Sequence, residues 1–272
     1  MTELKTWREN IELDDGTQKS VLTKEIVLPF CSCDLNGKMH LSELLALTSD
    51  LAVEDFEDQG LSYQFLYSKG FAILLSRISY KIIKMPLEAQ KITLKTWEEK
   101  AQGLQLVRKF VICDSSTDGN DQELIYGTTM WLLVDPVARR IMPPIKFDLR
   151  PVPNSSSELK TLEPGKIKIA ENASLVENRK MQFSDCDPNG HVNNSRYGAF
   201  AIDALFASGS AIDEIQGKIL TDFRLNYAKE AHLGDTLSIY SSVEKTEDGK
   251  TKIIIVGKNA AETSFECEMF WT

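Results

Sequence analysis

One imidazole, one carboxylate and the turn between a strand and a helix are the features of this chain best suited to chemistry. His191 closes the run Asp187-Pro188-Asn189-Gly190-His191, and Asn193-Asn194 follow it. Pro188 fixes φ while Asn189 and Gly190 tolerate positive φ, so the run turns a strand into a helix, with Asn193-Asn194 as the expected N-cap. No turn requires an imidazole. A base beside the unpaired N–H groups and positive dipole end of a helix suits acyl transfer, because those donors can receive an oxyanion or a thioester carbonyl. Glu230, in Asn226-Tyr227-Ala228-Lys229-Glu230, is the carboxylate expected to approach His191 and orient it or activate a water. The bland alternatives stay open: a capping or core histidine, and a solvated carboxylate at a strand end.

The motif occurs twice. Phe30-Cys31-Ser32-Cys33-Asp34-Leu35-Asn36-Gly37 and Phe183-Ser184-Asp185-Cys186-Asp187-Pro188-Asn189-Gly190 share five residues of eight, and the next residue is Lys38 in one and His191 in the other. Arg77-Ile78-Ser79-Tyr80 is matched by Arg224-Leu225-Asn226-Tyr227, which sets Ile83 opposite Glu230. A repeat of this kind over half the chain indicates two copies of one domain, of which only the second is armed. Lys38 cannot act as a base near neutral pH unless strongly desolvated. Because Asp34, Asn36 and Gly37 persist without the histidine, a structural role for Asp187, Asn189 and Gly190 stays equally open. Cys33 likewise matches Cys186, which favours a small buried side chain over a Cys/His nucleophile. His40 and His232 have no counterpart and read as surface or cap residues.

The elements that must position these groups follow the same order in each half. A β-rich run leads in (21–30; 180–183), the motif turns the chain, and one helix follows. Leu41, Leu44, Leu45, Leu51, Ala52 and Phe56 fall roughly on a 3.6 period, and Tyr197, Phe200, Ala201, Ala204 and Leu205 do so more cleanly. Strand-like runs come next: 71–83, 91–97, 105–113 and 123–134, then 218–230, 236–243, 251–257 and 263–271. Four strands after one helix imply an antiparallel sheet packed on that helix, and two such α+β units form an internal pseudo-dimer. Between them, residues 142–170 hold five of the nine prolines and the run Asn154-Ser155-Ser156-Ser157, a linker. The expected division is 1–145 for the first domain, 146–170 for the linker and 171–272 for the second.

A length of 272 residues suits two domains, and 42% apolar with 26% charged residues is the composition of a globular chain. The net charge of −9 argues against a nucleic-acid partner, which needs a basic footprint. The first 24 residues lack an apolar core, so neither a signal peptide nor a membrane span is expected there, and a cytoplasmic protein is. Five cysteines, Cys31, Cys33, Cys113, Cys186 and Cys267, read as reduced thiols, and Cys31-x-Cys33 lacks zinc-site spacing.

The run Asp187-Pro188-Asn189-Gly190-His191-Val192-Asn193-Asn194-Ser195-Arg196-Tyr197, followed by Asn226-Tyr227-Ala228-Lys229-Glu230, resembles the acyl-acyl carrier protein thioesterases over nearly the whole chain. Thr96-Trp97 and residues 131–141 are similar to that family's N-terminal domain. The resemblance implies a tandem double hotdog of bacterial form that hydrolyses the thioester between a fatty acid and the phosphopantetheine of acyl carrier protein. It implies no metal and no organic cofactor. The family's catalytic positions fall on Asp187, Asn189, His191 and Glu230, and Ala231 stands where plant members carry a cysteine, so an activated water replaces a thiol nucleophile. Asn189 and helix N-terminal amides would stabilise the oxyanion, and Asp187 would orient the loop or the imidazole. The unarmed half would shape the acyl tunnel, with 41–56 and 71–75 as walls against the alternative of plain core packing. Lys166, Lys168, Arg179, Lys180, Arg196 and Lys229 are candidate contacts for the acidic carrier. An acyl-CoA thioesterase and a non-catalytic acyl-binding module are the alternative functions, a hotdog dehydratase is a weaker one, and a homodimer stays open.

Overall fold

The computed structural model describes residues 2–13, 16–116, 121–170 and 172–272. Its elements run β1 (Thr2–Glu12), β2 (Gln18–Val27), α1 (Leu41–Asp58), α2 (Tyr63–Ser68), β3 (Ala72–Ile82), β4 (Lys91–Gln102), β5 (Gln105–Asp114), β6 (Gln122–Asp135) and β7 (Arg140–Ile141). The second half continues with β8 (Ser174–Lys180), α3 (Arg196–Ala207), α4 (Gly209–Ile215), β9 (Leu220–Tyr227), β10 (Thr236–Lys245), β11 (Thr251–Asn259) and β12 (Glu262–Trp271). The result is extensive antiparallel sheet with few helices, in two compact units. One comprises Met1–Met39, Leu47–Ser76 and Ile83–Thr161; the other comprises His40–Ala46, Arg77–Ile82 and Leu162–Thr272. Among the described residues, no helix is long and apolar enough to cross a membrane.

In the first unit, β1, β2, β4, β5 and β6 pair antiparallel in that order. Strand β1 is absent from the sequence reading, which begins the β-structure near residue 21. Its few apolar residues, Leu4, Trp7 and Ile11, fall on both faces and so lack the alternation that marks a half-buried strand. Backbone pairing with β2 along its length holds it, together with Arg8, which binds Asp55 at 2.7 Å and Asp58 at 2.6 Å. Asp55, near the end of α1, also takes Arg108 of β5 at 2.7 Å, with both side chains almost fully buried. Removing one partner of such a pair strands a buried charge at about 3–5 kcal/mol, so this contact fixes the helix on the face from which Arg108 projects. Beyond it Leu61, Leu66, Phe71, Leu106, Leu133 and Phe147 form a core, with Phe147 edge-on to Phe71.

In the second unit, β8, β10, β11, β12 and β9 pair antiparallel, and β9 also pairs with the later part of β3. That last pairing sets Arg77 opposite Asn226 and Tyr80 opposite Phe223, so the two repeated tetrapeptides hydrogen-bond to each other in antiparallel register. Helix α3 buries Tyr197, Gly198, Phe200, Ala201, Ala204 and Leu205, the face that the periodicity selects. A Cβ on Gly198 would lie 2.6 Å from Leu45 Cδ1 and 3.2 Å from the Ser42 amide nitrogen, so α3 crosses the first turn of α1 at backbone distance.

The proline-bearing stretch contains a 3-10 turn, Pro144–Lys146, and is fastened along its length. Lys100 N–H donates to the Ser155 carbonyl at 2.9 Å, and Ser157 Oγ bonds Glu99. Thr161 Oγ1 donates to Thr128 Oγ1 at 3.1 Å. In the second unit Arg224 and Asn226 donate to the carbonyls of Glu163 and Gly165, and Ile167 packs on Ile254 and Val256.

Candidate active site

Both copies of the motif build the same loop. A 3-10 turn opens each, Phe30–Ser32 and Phe183–Asp185, and a β-bridge closes each, Cys33 to Met39 and Cys186 to Val192. Within it Asp34 Oδ1 accepts the N–H of Asn36 at 2.7 Å, and Asp187 Oδ1 accepts that of Asn189 at 2.8 Å. Gly37 and Gly190, at φ +68 and +83, donate to the Asp34 and Asp187 carbonyls. These are Asx turns completed by a glycine in the left-handed region. The cysteines also match: Cys33 donates to the Pro29 carbonyl at 3.6 Å and Cys186 to that of Gln182 at 3.7 Å. Both thiols are only partly buried, short of the buried side chain expected, and each is turned onto a backbone carbonyl within its own loop.

In the second loop the side chain of His191 is 20% exposed, which leaves it accessible while held. Its Nδ1 lies 3.2 Å from the Val192 carbonyl and 4.0 Å from Asp187 Oδ1. Donation from Nδ1 to that carbonyl leaves the lone pair on Nε2, the tautomer of a base. Asp187 Oδ2 accepts from Asn193 Nδ2 at 3.4 Å, while Asn193 Oδ1 accepts the Ser195 N–H at 2.9 Å. Asn193 therefore shapes the approach to α3 by an Asx turn, and Ser195, without a side-chain cap bond, is the N-cap in place of the expected Asn193-Asn194. The Asn189 side chain is exposed at the loop tip.

Glu230 lies in the loop between β9 and β10, because β9 ends at Tyr227 rather than running to 230. The Ala231 carbonyl accepts the Val192 N–H at 2.8 Å, which joins this loop to the motif loop one residue from Glu230 on one side and one residue from His191 on the other. Glu230 Oε2 also lies 3.9 Å from Nε2 of His232, a neighbour that the repeat comparison missed because His232 has no counterpart in the first copy. Beneath the loops Tyr197 is buried edge-on to Phe200, Tyr227 and Phe265, and burial pushes its phenol above the ordinary range. Tyr227 donates to the Asn194 carbonyl at 2.9 Å.

Three of the six expected carrier contacts are already matched by carboxylates: Arg179 by Glu177 and Asp203, Arg196 by Asp185, and Lys229 by Glu262. Lys166, Lys168 and Lys180 are exposed. The first unit has separate cavities of about 250 and 380 Å³ against Lys19, Trp97, Val111 and Glu123. They lie on the face opposite Arg108, since Trp97 faces Lys109 in the register, and so open away from α1.

The chain matches the acyl-ACP thioesterase N-terminal domain over residues 19–148 and the acyl-ACP thioesterase C-terminal domain over residues 168–272. Among curated proteins none matches significantly. Among solved structures it is similar to an acyl-ACP thioesterase from Bacteroides thetaiotaomicron, with a TM-score of 0.73 and 22% identity over 93% of this chain and 98% of that one. It is also similar to the 12:0-ACP thioesterase from Umbellularia californica, with a TM-score of 0.75 and 15% identity over 93% of this chain and 94% of that one. At such identities the likeness speaks for the fold, and the two domain matches speak for the chemistry, which is that of a thioester hydrolase. The chain belongs to the acyl-ACP thioesterase family and releases fatty acid from acyl carrier protein.

Proposed function

We propose that His191 and Glu230 activate the water that attacks the thioester carbonyl. The observation that carries this reading is the Val192–Ala231 hydrogen bond, which fastens the neighbours of the two residues to each other. Water attacks the carbonyl carbon and gives its proton to His191 Nε2, with Glu230 as the second acceptor on that water. The oxyanion is received by Asn189 and the amides at the start of α3. Collapse breaks the C–S bond and expels the phosphopantetheine thiolate, which takes the proton back. Asp187 holds the loop and, through it, the imidazole. In a thiol-release assay with matched acyl carrier protein and acyl-CoA substrates, His191→Ala and Glu230→Ala each lower kcat by about 10²–10⁴-fold with the fold intact. Wild-type kcat in either variant overturns the assignment.

The proposed frame is a tandem double hotdog, an internal pseudo-dimer of an acyl-chain half (1–145) and a catalytic half (171–272) joined by 146–170. Its support is the doubled motif loop and the antiparallel pairing of the two repeated tetrapeptides. The acidic carrier protein is met by exposed Lys166, Lys168 and Lys180. A cytoplasmic location follows from that partner and from five free cysteines. A homodimer of the whole chain is tested by sedimentation.

A further inference from the structure

We propose that Ser264 and Tyr197 are positioning residues for Glu230, an inference that rests on reading Glu230 and His191 as the water-activating pair. Ser264 is the extra residue of a β-bulge: along β12, Thr263 faces Lys258 and Phe265 faces Gly257, with Ser264 between them unmatched. A bulge re-aims its residue out of the ladder, and such bulges recur beside active sites. Ser264 is 1% exposed, and all its bonds on this side go to one loop. Its carbonyl accepts the N–H groups of Ala228 at 2.9 Å and Lys229 at 3.1 Å, and its Oγ donates to the Lys229 carbonyl at 3.0 Å. The two residues before Glu230 are therefore held by Ser264.

The residue after Glu230 is held from the other side. Ala231 is fully buried and accepts from Val192, and the Tyr197 hydroxyl lies beside the backbone of Ala231 and the side chain of Ser264. One phenol thus sits between the two contacts that flank the carboxylate, and its ring, in the first turn of α3, packs edge-on against Phe200, against Tyr227 at the end of β9 and against Phe265, the neighbour of Ser264 on β12. The Glu230 side chain is itself 39% exposed and lies 3.9 Å from His232. The backbone on either side fixes where that side chain starts, and that backbone is held by Ser264 and packed by Tyr197. Ser264 carries no signal in the sequence, because a register break is invisible before strands are paired.

The test is kinetic coupling to Glu230. Ser264→Ala and Tyr197→Phe are each made in the wild-type chain and in Glu230→Gln, and thiol release from an acyl carrier protein thioester is measured with circular dichroism of every variant. Each substitution is expected to lower kcat about 10-fold in the wild-type chain while leaving KM within about two-fold, since it misplaces a group that acts on the transition state. In Glu230→Gln the same substitution costs less than about two-fold, because the group it positions is gone. An equal loss in both backgrounds overturns the proposal and makes the two residues merely structural; unchanged kcat in both overturns it as well. If Glu230→Gln alone retains wild-type kcat, the underlying assignment fails first and takes this one with it. Should Ser264→Ala not fold, Tyr197→Phe, which removes one oxygen, decides.

Discussion

Lys38 and His191 stand at the same step of one loop, each directly after a left-handed glycine and each with its carbonyl accepting from the motif aspartate's N–H. The aspartate accepts the N–H of the motif asparagine in both copies, so the copy without a histidine isolates its contribution to folding. Asp34→Ala removes the acceptor for the Asn36 and Lys38 amides and is expected to cost about 1–2 kcal/mol of stability with kcat unchanged. Asp187→Ala is expected to cost a similar amount and also to lower kcat, because His191 rides on the loop. Denaturant titration alongside the thiol-release assay checks both; a fall in kcat for Asp34→Ala contradicts the division of roles. The turn was legible from Asn and Gly in the sequence, since those residues report backbone conformation directly. The contacts that set Glu230 were not, since they come from residues more than thirty positions away.

At the scale of elements, the crossing of α3 over the first turn of α1 depends on the missing side chain of Gly198. Alanine there gains up to about 1 kcal/mol of helix propensity, but its Cβ would meet Leu45 at 2.6 Å and backbone atoms of Ser42 and Leu41 at 3.2 and 3.3 Å. Overpacking of this kind costs about 1–3 kcal/mol, so the net expectation for Gly198→Ala is a loss of about 1–2 kcal/mol, read as a Tm lower by several degrees. An unchanged or higher Tm shows that the two helices part at no cost. Most strands were legible because their faces alternate, and α3 was because its apolar face is continuous. Short α2 and α4 were not, being a turn or two long and set by packing, and neither was β1, whose ordering comes from β2 and from Arg8 on Asp55 and Asp58.

For the molecule as a whole, the thiols give a handle on alkaline stability. Burial pushes the Cys113 thiol up from 9.0 to about 11, and burial also raises Cys267. A thiol whose pKa is raised in the fold favours folding as long as both states are protonated. That contribution is complete below the unfolded value of 9.0 and is lost as pH rises toward about 11, where the unfolded chain has ionised first. The Tm of the wild-type chain is expected to fall across this window more steeply than that of Cys113→Ala, and parallel curves contradict it. Exposed Cys31 should meanwhile react with thiol reagents at neutral pH while Cys113 does not.

Each molecule carries its own reference: a second copy of the His191 loop, with the same turn, the same cysteine contact and the same glycine, folded in the same tube at the same concentration. Whatever acts on the loop as a piece of backbone must register at Gly37 and Gly190 alike, and whatever acts through His191 can register only at Gly190.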